Sequence, residues 1–188
     1  MMKEKNYDAI IRKIDIPEGV TVNVVEKLVS VKGPKGDLAR EFSDPRYSEF
    51  VTIVKDGNVI TITSSGGRRK NMAIVGTISS LIKNMIVGVE KGFRYNMKIH
   101  YVHFPITIEV KGKEVIIKNF LGARGVRRAK IIGAAKIDVK KDVITIEGID
   151  KGTVSQTAAN IEKACKISGL DRRTFLDGIY MVGHEVMS

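Results

Sequence analysis

Val59-Ile60-Thr61-Ile62-Thr63 and Val143-Ile144-Thr145-Ile146-Glu147 are two forms of one strand-forming segment within a chain of 188 residues. Isoleucine occupies every second position in both copies, which is the period-two pattern of a strand that buries one face. Each copy follows a turn of similar chemistry, Lys55-Asp56-Gly57-Asn58 or Lys140-Lys141-Asp142, as a β-hairpin requires. The recurrence predicts two tandem domains of one design.

The repeat extends on both sides of this segment. Upstream, Ile16-Pro17 precedes the strand pattern Val20-Thr21-Val22, and Phe104-Pro105 precedes Ile106-Thr107-Ile108. Downstream, the apolar spacing changes in both copies from two residues to three or four, the period of a helix with one buried face.

Both helices can be located from their apolar residues. In the first, one stripe contains Met72, Val75, Ile78, Leu81, Ile82 and Met85. In the second, Thr153-Val154-Ser155-Gln156 is typical of a capping box, and the expected buried face contains Val154, Ala158, Ile161 and Cys165. We therefore predict an α+β fold of two tandem duplicated domains, residues 1–90 and 91–188, each an antiparallel β-sheet unit packed with one α-helix.

The charge of the chain favours an anionic partner. The sequence has 32 Lys and Arg against 21 Asp and Glu, for a formal net charge of +11, which suits nucleic-acid phosphates or an anionic membrane. No stretch approaches the roughly 18 uninterrupted apolar residues of a membrane span, and the first residues mix charges where a signal peptide needs an apolar core. We expect a cytoplasmic protein without a membrane partner, in which the single Cys165 is a buried thiol.

The basic residues concentrate in the second domain, which we expect to be the principal nucleic-acid-binding domain. Between positions 111 and 141 they are Lys111, Lys113, Lys118, Arg124, Arg127, Arg128, Lys130, Lys136, Lys140 and Lys141. The lysines at hairpin turns are equally compatible with a solvated face. The three arginines lie beside Gly122 and Gly125, where missing side chains let backbone amides and guanidinium groups approach phosphates.

Two loops match the GxxG pattern, Gly33-Pro34-Lys35-Gly36 and Gly122-Ala123-Arg124-Gly125. In KH domains such a loop clamps single-stranded nucleic acid, so a tandem KH protein is the alternative hypothesis. A KH loop joins two helices, whereas the residues around the first loop alternate like strands. For that loop, a plain hairpin turn and a phosphate contact are equally good interpretations.

Catalytic and metal chemistry are not supported. His100 and His103 are three residues apart on a predicted strand, which places them on opposite faces. No Gly-x-Ser-x-Gly or P-loop motif occurs in the sequence. We therefore expect no enzyme activity, no catalytic residue, no metal and no cofactor.

A segment near the C-terminus, Asp171-Arg172-Arg173-Thr174-Phe175-Leu176-Asp177-Gly178-Ile179-Tyr180, combines an arginine pair, two aromatic rings and a turn. Arginine can bridge phosphates and an aromatic ring can stack on a base, although Phe175 is better explained as a core anchor. Together with Gly92-Phe93-Arg94-Tyr95, Asn119-Phe120-Leu121-Gly122 and Val31-Lys32-Gly33-Pro34-Lys35-Gly36, this segment resembles the archaeal and eukaryotic branch of the large-subunit ribosomal protein six family.

The resemblance implies a non-catalytic protein of the large ribosomal subunit, located in the cytoplasm within the ribosome. Its second domain would bind rRNA near the sarcin-ricin loop and the docking region of translational GTPases. The implied partners are large-subunit rRNA, neighbouring large-subunit ribosomal proteins and the nearby GTPases. From the motifs and the charge pattern, the expected rRNA-binding residues are Asn119, Gly122, Arg124, Arg127, Arg128, Lys130, Arg172, Arg173, Gly178 and Tyr180.

Overall fold

The computed structural model describes residues 10–45, 49–65, 69–169, 171 and 173–187. Two units separate along the chain, unit 1 at Met1–Glu90 and unit 2 at Lys91–Ser188. Each unit combines antiparallel sheets with one long α-helix, which confirms the predicted α+β fold of duplicated domains. Arg172 lies outside the described residues.

The described part of unit 1 contains two three-stranded sheets, with strand orders β1-β6-β5 and β2-β3-β4. Helix α1 packs against both sheets. The elements are β1 (Ile10–Asp15), β2 (Thr21–Val25), β3 (Leu28–Gly33), β4 (Gly36–Glu41), β5 (Val51–Asp56), β6 (Val59–Ser64) and α1 (Arg69–Glu90).

Unit 2 repeats this plan and adds one strand. Its sheets have the orders β10-β9-β8 and β11-β12-β7-β13. The elements are β7 (Phe93–His100), β8 (Thr107–Lys111), β9 (Glu114–Lys118), β10 (Arg127–Lys130), β11 (Lys136–Lys140), β12 (Val143–Gly148), α2 (Lys151–Ala164) and β13 (Gly178–Val186). A short 3-10 turn, Phe120–Gly122, lies between β9 and β10.

The repeated segment forms an inner strand of one sheet in each unit. Ile60 and Ile62 on β6, and Ile144 and Ile146 on β12, are all 0% exposed. They pack beneath the helix of their own unit in two separate apolar cores. The period-two pattern therefore predicted both the strands and their buried faces correctly.

The predicted stripe of α1 is correct in the middle of the helix, where Leu81 is partly buried, and wrong in the first turn. Val75, Ile78, Ile82 and Met85 are buried, whereas Met72 is 53% exposed because it lies in the first turn, where its neighbours are also exposed. By length and composition alone α1 is able to span a membrane, but its buried residues form the core of unit 1.

Helix α2 begins earlier than the predicted capping box. The N-cap is Asp150, whose carboxylate accepts hydrogen bonds from the backbone N–H groups of Gly152 and Thr153 at 3.0 and 3.3 Å. The Thr153 hydroxyl instead donates to the Asp150 carbonyl, and the Gln156 amide donates to Asn160. The capping-box prediction is wrong because a carboxylate three residues upstream already satisfies the free amides.

Removing this cap tests the corrected helix start. We expect Asp150→Ala to lower the free energy of unfolding by about 1 kcal/mol, the usual cost of losing an N-cap acceptor. Gln156→Ala is the matched control, since its exposed i,i+4 hydrogen bond is worth roughly 0.2–0.5 kcal/mol. Urea denaturation followed by circular dichroism measures both, and a larger loss for Gln156→Ala would restore the capping box.

Candidate nucleic-acid interface

The two GxxG loops join strands rather than helices. Gly33-Pro34-Lys35-Gly36 closes the β3–β4 hairpin, and Gly122-Ala123-Arg124-Gly125 lies between β9 and β10. In the first loop, a Cβ on Gly33 would lie 2.8 Å from the backbone oxygen of Val89, and the N–H of Lys35 donates to that oxygen at 2.9 Å. The first loop thus packs against the end of α1, and the topology contradicts the KH alternative.

Asn119 and Gly122 shape the second loop. Both have a left-handed backbone, with φ of 57° and 71°, and the side-chain amide of Asn119 donates to the carbonyl of Pro105 at 3.0 Å. A Cβ on Gly122 would lie 3.1 Å from the ring of Phe104. Glycine tolerates this combination of conformation and close packing, whereas most other residues do not. These two residues position the loop that carries Arg124.

Arg124 lies at the exposed part of this loop. Across the described residues, its guanidinium forms no hydrogen bond or ion pair. A guanidinium without an internal partner retains all five donors for a phosphate. Arg124 is therefore available to a phosphate, and its contact with rRNA stays a prediction.

Arg127 has a different environment. Its guanidinium donates to the carbonyls of Ala164 and Lys166 at 2.8 and 3.1 Å, where α2 ends. It also lies over the ring of Phe120, 4.2 Å from the centroid. A cation at a helix C-terminus satisfies free carbonyls and the negative end of the helix dipole. Arg127 ties β10 to α2, a role that the sequence motifs did not indicate.

The next residues of β10 point the other way. Arg128 and Lys130 are exposed, and together with Asn160 and Lys163 of α2 they line a groove of about 290 Å³, the β10–α2 groove. Among the described residues, the one ion pair of these cations joins Arg128 to Glu114 at 3.8 Å. Three cations thus converge on one groove between a strand and a helix end.

Lys163 was missed by the sequence analysis. It lies in the last turn of α2, outside the basic run of positions 111–141. Counting charge along the chain cannot detect a cation that folding brings beside β10. Its position three residues from the groove residue Asn160 on the same helix face was the available signal.

Three lysines of the basic run form ion pairs with nearby carboxylates. Glu109 accepts a hydrogen bond from Lys118 and lies 3.2 Å from Lys111. These two ammonium groups, Lys118 first, hold the pKa of the Glu109 carboxyl below its ordinary value. Lys140 lies 3.0 Å from Asp138. These three lysines therefore have carboxylate partners, whereas Lys130 and Lys163 have none among the described residues.

In the C-terminal segment, Asp171 organises the turn. Its carboxylate accepts the backbone N–H of Arg173 at 2.9 Å, and its carbonyl accepts the N–H of Phe175 at 2.9 Å. The Arg173 side chain is exposed and has no hydrogen bond or ion pair within the described ranges. Phe175 is partly buried against the core of unit 2, as the core-anchor interpretation predicted.

Gly178 and Tyr180 hold this segment in shape. The Tyr180 hydroxyl donates to the carbonyl of Leu176 at 3.1 Å, and a Cβ on Gly178 would lie 2.8 Å from the tyrosine ring. Because Gly178 has no side chain, the ring of Tyr180 can pack against its backbone. The two residues fix the chain that presents Arg173, and the structure gives both an internal role.

The remaining titratable groups that could be reactive, Asp177 and Cys165, are buried in the fold. Asp177 is 1% exposed, accepts the backbone N–H of Val102 and lies 3.8 Å from Nδ1 of His103. Burial raises the pKa of the Cys165 thiol to about 12, so the thiol stays protonated. No group of three or more His, Cys, Asp and Glu side chains able to hold a metal occurs among the described residues.

These features define a duplicated α+β protein whose second unit exposes cations around one helix end, the design of a nucleic-acid-binding protein. A family model described as ribosomal protein L6 matches residues 16–92 and 104–178, one match in each unit. The chain belongs to the ribosomal protein L6 family. This confirms the resemblance seen in the motifs, and it makes the chain a ribosomal protein and not an enzyme.

Similar curated proteins support the same family assignment. Large ribosomal subunit protein uL6 of Aeropyrum pernix is 45% identical over 179 residues, which cover 95% of this chain and 97% of the relative. The uL6 proteins of Methanobrevibacter smithii and Methanothrix thermoacetophila are 47% and 46% identical, over 94% and 93% of this chain and 97% of each relative. Similarity extends over nearly the whole chain.

The structural role of Arg127 has a direct test. We expect Arg127→Ala to lower the free energy of unfolding by roughly 1.5 to 3 kcal/mol, because it removes charge-assisted hydrogen bonds to the end of α2. Cys165 lies between Ala164 and Lys166, whose carbonyls Arg127 binds, so its thiol should then react faster with a thiol reagent. Arg124→Ala, at an exposed site without partners, should change stability by less than about 0.5 kcal/mol. Equal stability of the two variants in urea would contradict this assignment.

Proposed function

We propose that the chain is a structural constituent of the large ribosomal subunit that binds rRNA mainly through unit 2. It functions in the cytoplasm, within the ribosome. Two observations support the proposal. The similar proteins carry the name large ribosomal subunit protein uL6, and unit 2 concentrates exposed cations around the end of α2.

The β10–α2 groove is the observation that carries the proposal. Its lining places Arg128, Lys130 and Lys163 beside one another without a carboxylate in the lining itself. The described lining of the groove contains no aromatic ring, so it offers no surface for base stacking. Such a lining favours contact with the phosphate backbone, which positions an RNA without reading its sequence.

Two arginines extend this surface in our proposal. Arg124 is carried by the loop after β9, and Arg173 by the C-terminal turn. Asn119, Gly122, Arg127, Gly178 and Tyr180 support rRNA binding by holding these loops and the groove in shape. Arg172 stays a predicted contact.

The proposal also concerns where on the rRNA unit 2 binds. From the family resemblance, we propose that unit 2 binds near the sarcin-ricin loop and near the docking region of translational GTPases. There the chain acts as a scaffold that holds rRNA in position. Such a role needs phosphate contacts and a rigid fold, and both units supply a closed apolar core.

A matched pair of triple variants tests the groove. We expect the full-length Arg128→Ala/Lys130→Ala/Lys163→Ala variant to bind large-subunit rRNA more weakly. The slope of log affinity against log salt should fall by about 2, since each lost phosphate contact releases about 0.7 to 0.9 fewer counterions. The control, Arg40→Ala/Lys13→Ala/Lys32→Ala, removes the same net charge from exposed positions of unit 1. Filter binding at several salt concentrations measures both.

Equal losses in the two triple variants would show that only net charge matters, and the groove assignment would then fail. The large-subunit assignment has a separate test, sedimentation of the wild-type protein with the large subunit after a high-salt wash. Release into a free pool would contradict it.

Arg173 gives a test that separates binding from folding. Because its side chain has no internal partner among the described residues, Arg173→Ala should leave the thermal midpoint unchanged. Affinity for large-subunit rRNA should fall by about 1 to 3 kcal/mol, the range for a lost charge-assisted contact. A drop in the thermal midpoint with unchanged affinity of the folded protein would sink the assignment.

A further inference from the structure

The two units differ at one sheet edge. In unit 2, β7 pairs with β12 on one side and with β13 on the other. In unit 1 the corresponding strand, β1, pairs with β6 on one side, and no described strand pairs with its second edge. A free edge presents backbone N–H and C=O groups to which another strand can bind.

The registers identify the matching residues. Arg12 of β1 lies opposite Ile62 of β6, and Tyr95 of β7 lies opposite Ile146 of β12. Arg12 therefore occupies the place of Tyr95. In unit 2, Tyr95 is covered by His184 of β13, with ring centroids 5.3 Å apart. Arg12 is exposed, so unit 1 lacks this cover among its described residues.

A groove lies beside this edge. It measures about 510 Å³ and is lined by Arg12, Ala73, Gly76, Thr77, Ser79, Ser80, Leu81 and Lys83. Most of these side chains are small and uncharged, which leaves room along α1.

The helices show that unit 2 fills the same place. Buried Val75, Ser79 and Ile82 on α1 have the spacing of buried Val154, Ala158 and Ile161 on α2. Ser80 and Lys83 therefore match Ala159 and Glu162. In unit 2 those two residues line a cavity of only about 250 Å³, which the first residues of β13 close from the other side.

The charges of the groove restrict what binds there. Among the described residues that line it, Arg12 and Lys83 are the charged ones, and both are cations. Exposed Lys13 and Asp15 lie on the opposite face of β1 and carry opposite charges, so they leave this balance unchanged. A second copy that paired through the same edge would bring its own Arg12 and Lys83 to the groove, which is unfavourable. A segment that carries a carboxylate is complementary.

We propose that unit 1 binds an extended, acidic segment of another large-subunit ribosomal protein, which adds to β1 as a strand and covers the α1 groove. The segment takes the place that β13 takes in unit 2, and its carboxylate lies opposite Arg12. This inference rests on the proposed function, because it draws the partner from the large subunit. Strand addition gains affinity from main-chain hydrogen bonds and specificity from alternate side chains.

RNA fits this site less well than a peptide strand. The free edge of β1 supplies alternating donors and acceptors at strand spacing, which only another extended backbone matches along its length. The groove wall formed by Ala73, Gly76 and Ser80 offers no cation to a phosphate. The same wall suits the small and apolar side chains of a strand.

A peptide probe tests the site on the free, full-length protein. The probe is a fluorescent peptide with the sequence of residues 175–187 and the change His184→Glu, which places a carboxylate opposite Arg12. We expect saturable binding, about tenfold tighter than that of the unchanged peptide, as one favourable charge pair of roughly 1.4 kcal/mol provides. Gly76→Phe should abolish binding, since a Cβ at Gly76 meets nothing within 4 Å and the ring enters the groove. Ser155→Phe, at the matching position of α2, is the control that keeps binding.

Photocrosslinking identifies the natural occupant. Benzoylphenylalanine at Ser80 of the full-length protein, in assembled large subunits, should crosslink to an extended, carboxylate-bearing segment of another ribosomal protein. The same group at Ala159 should crosslink within the chain, to the start of β13, which shows that the chemistry works. Fragments are mapped by mass spectrometry.

Failure of the docking proposal is distinct from failure of the proposed function. Crosslinks from Ser80 to rRNA, to a second copy, within the chain, to a segment without a carboxylate, or to nothing would overturn the docking proposal. Peptide binding that survives Gly76→Phe, or no peptide binding, would also overturn it. The Gly76→Phe protein should bind rRNA normally, so a loss of rRNA binding would count against the proposed function instead.

Discussion

The proposed interface depends on one interaction, the guanidinium of Arg127 bound to the carbonyls of Ala164 and Lys166 and stacked on Phe120. These contacts fasten β10 to the end of α2. Because side chains alternate along a strand, an inward Arg127 requires Arg128 to point outward. Arg127, one of three arginines that the sequence indicated as phosphate ligands, therefore supports the surface that its neighbour Arg128 lines.

This division between supporting and contacting residues recurs in unit 2. Gly122 and Gly178 allow close packing against Phe104 and Tyr180, and neither glycine presents a side chain to a partner. Few residues other than glycine tolerate such positions. The exposed arginines beside them lie on loops whose shape is already determined. Rigid loops reduce the entropy lost when a charged side chain binds RNA.

The architecture was predictable from the sequence because its strongest signals are local. Isoleucine periodicity around Ile60 predicted strands, repeat and core together. The sequence misled in two places, the start of α2 and the contacts around β10. At the start of α2, the Asp150 carboxylate binds the free backbone N–H groups, so the capping box predicted at Thr153 does not form. The partners of Arg127 and the groove position of Lys163 depend on contacts between distant parts of the chain, which spacing does not reveal.

The central claim is that the β10–α2 groove contacts rRNA, and lysine acetylation of the full-length protein measures it most directly. Lys130 and Lys163 line the groove, whereas Lys13 and Lys32 are exposed lysines of unit 1. With large-subunit rRNA bound, we expect Lys130 and Lys163 to react much more slowly and the two control lysines to keep their rates. Unchanged acetylation of Lys130 and Lys163 in the rRNA complex would contradict the account.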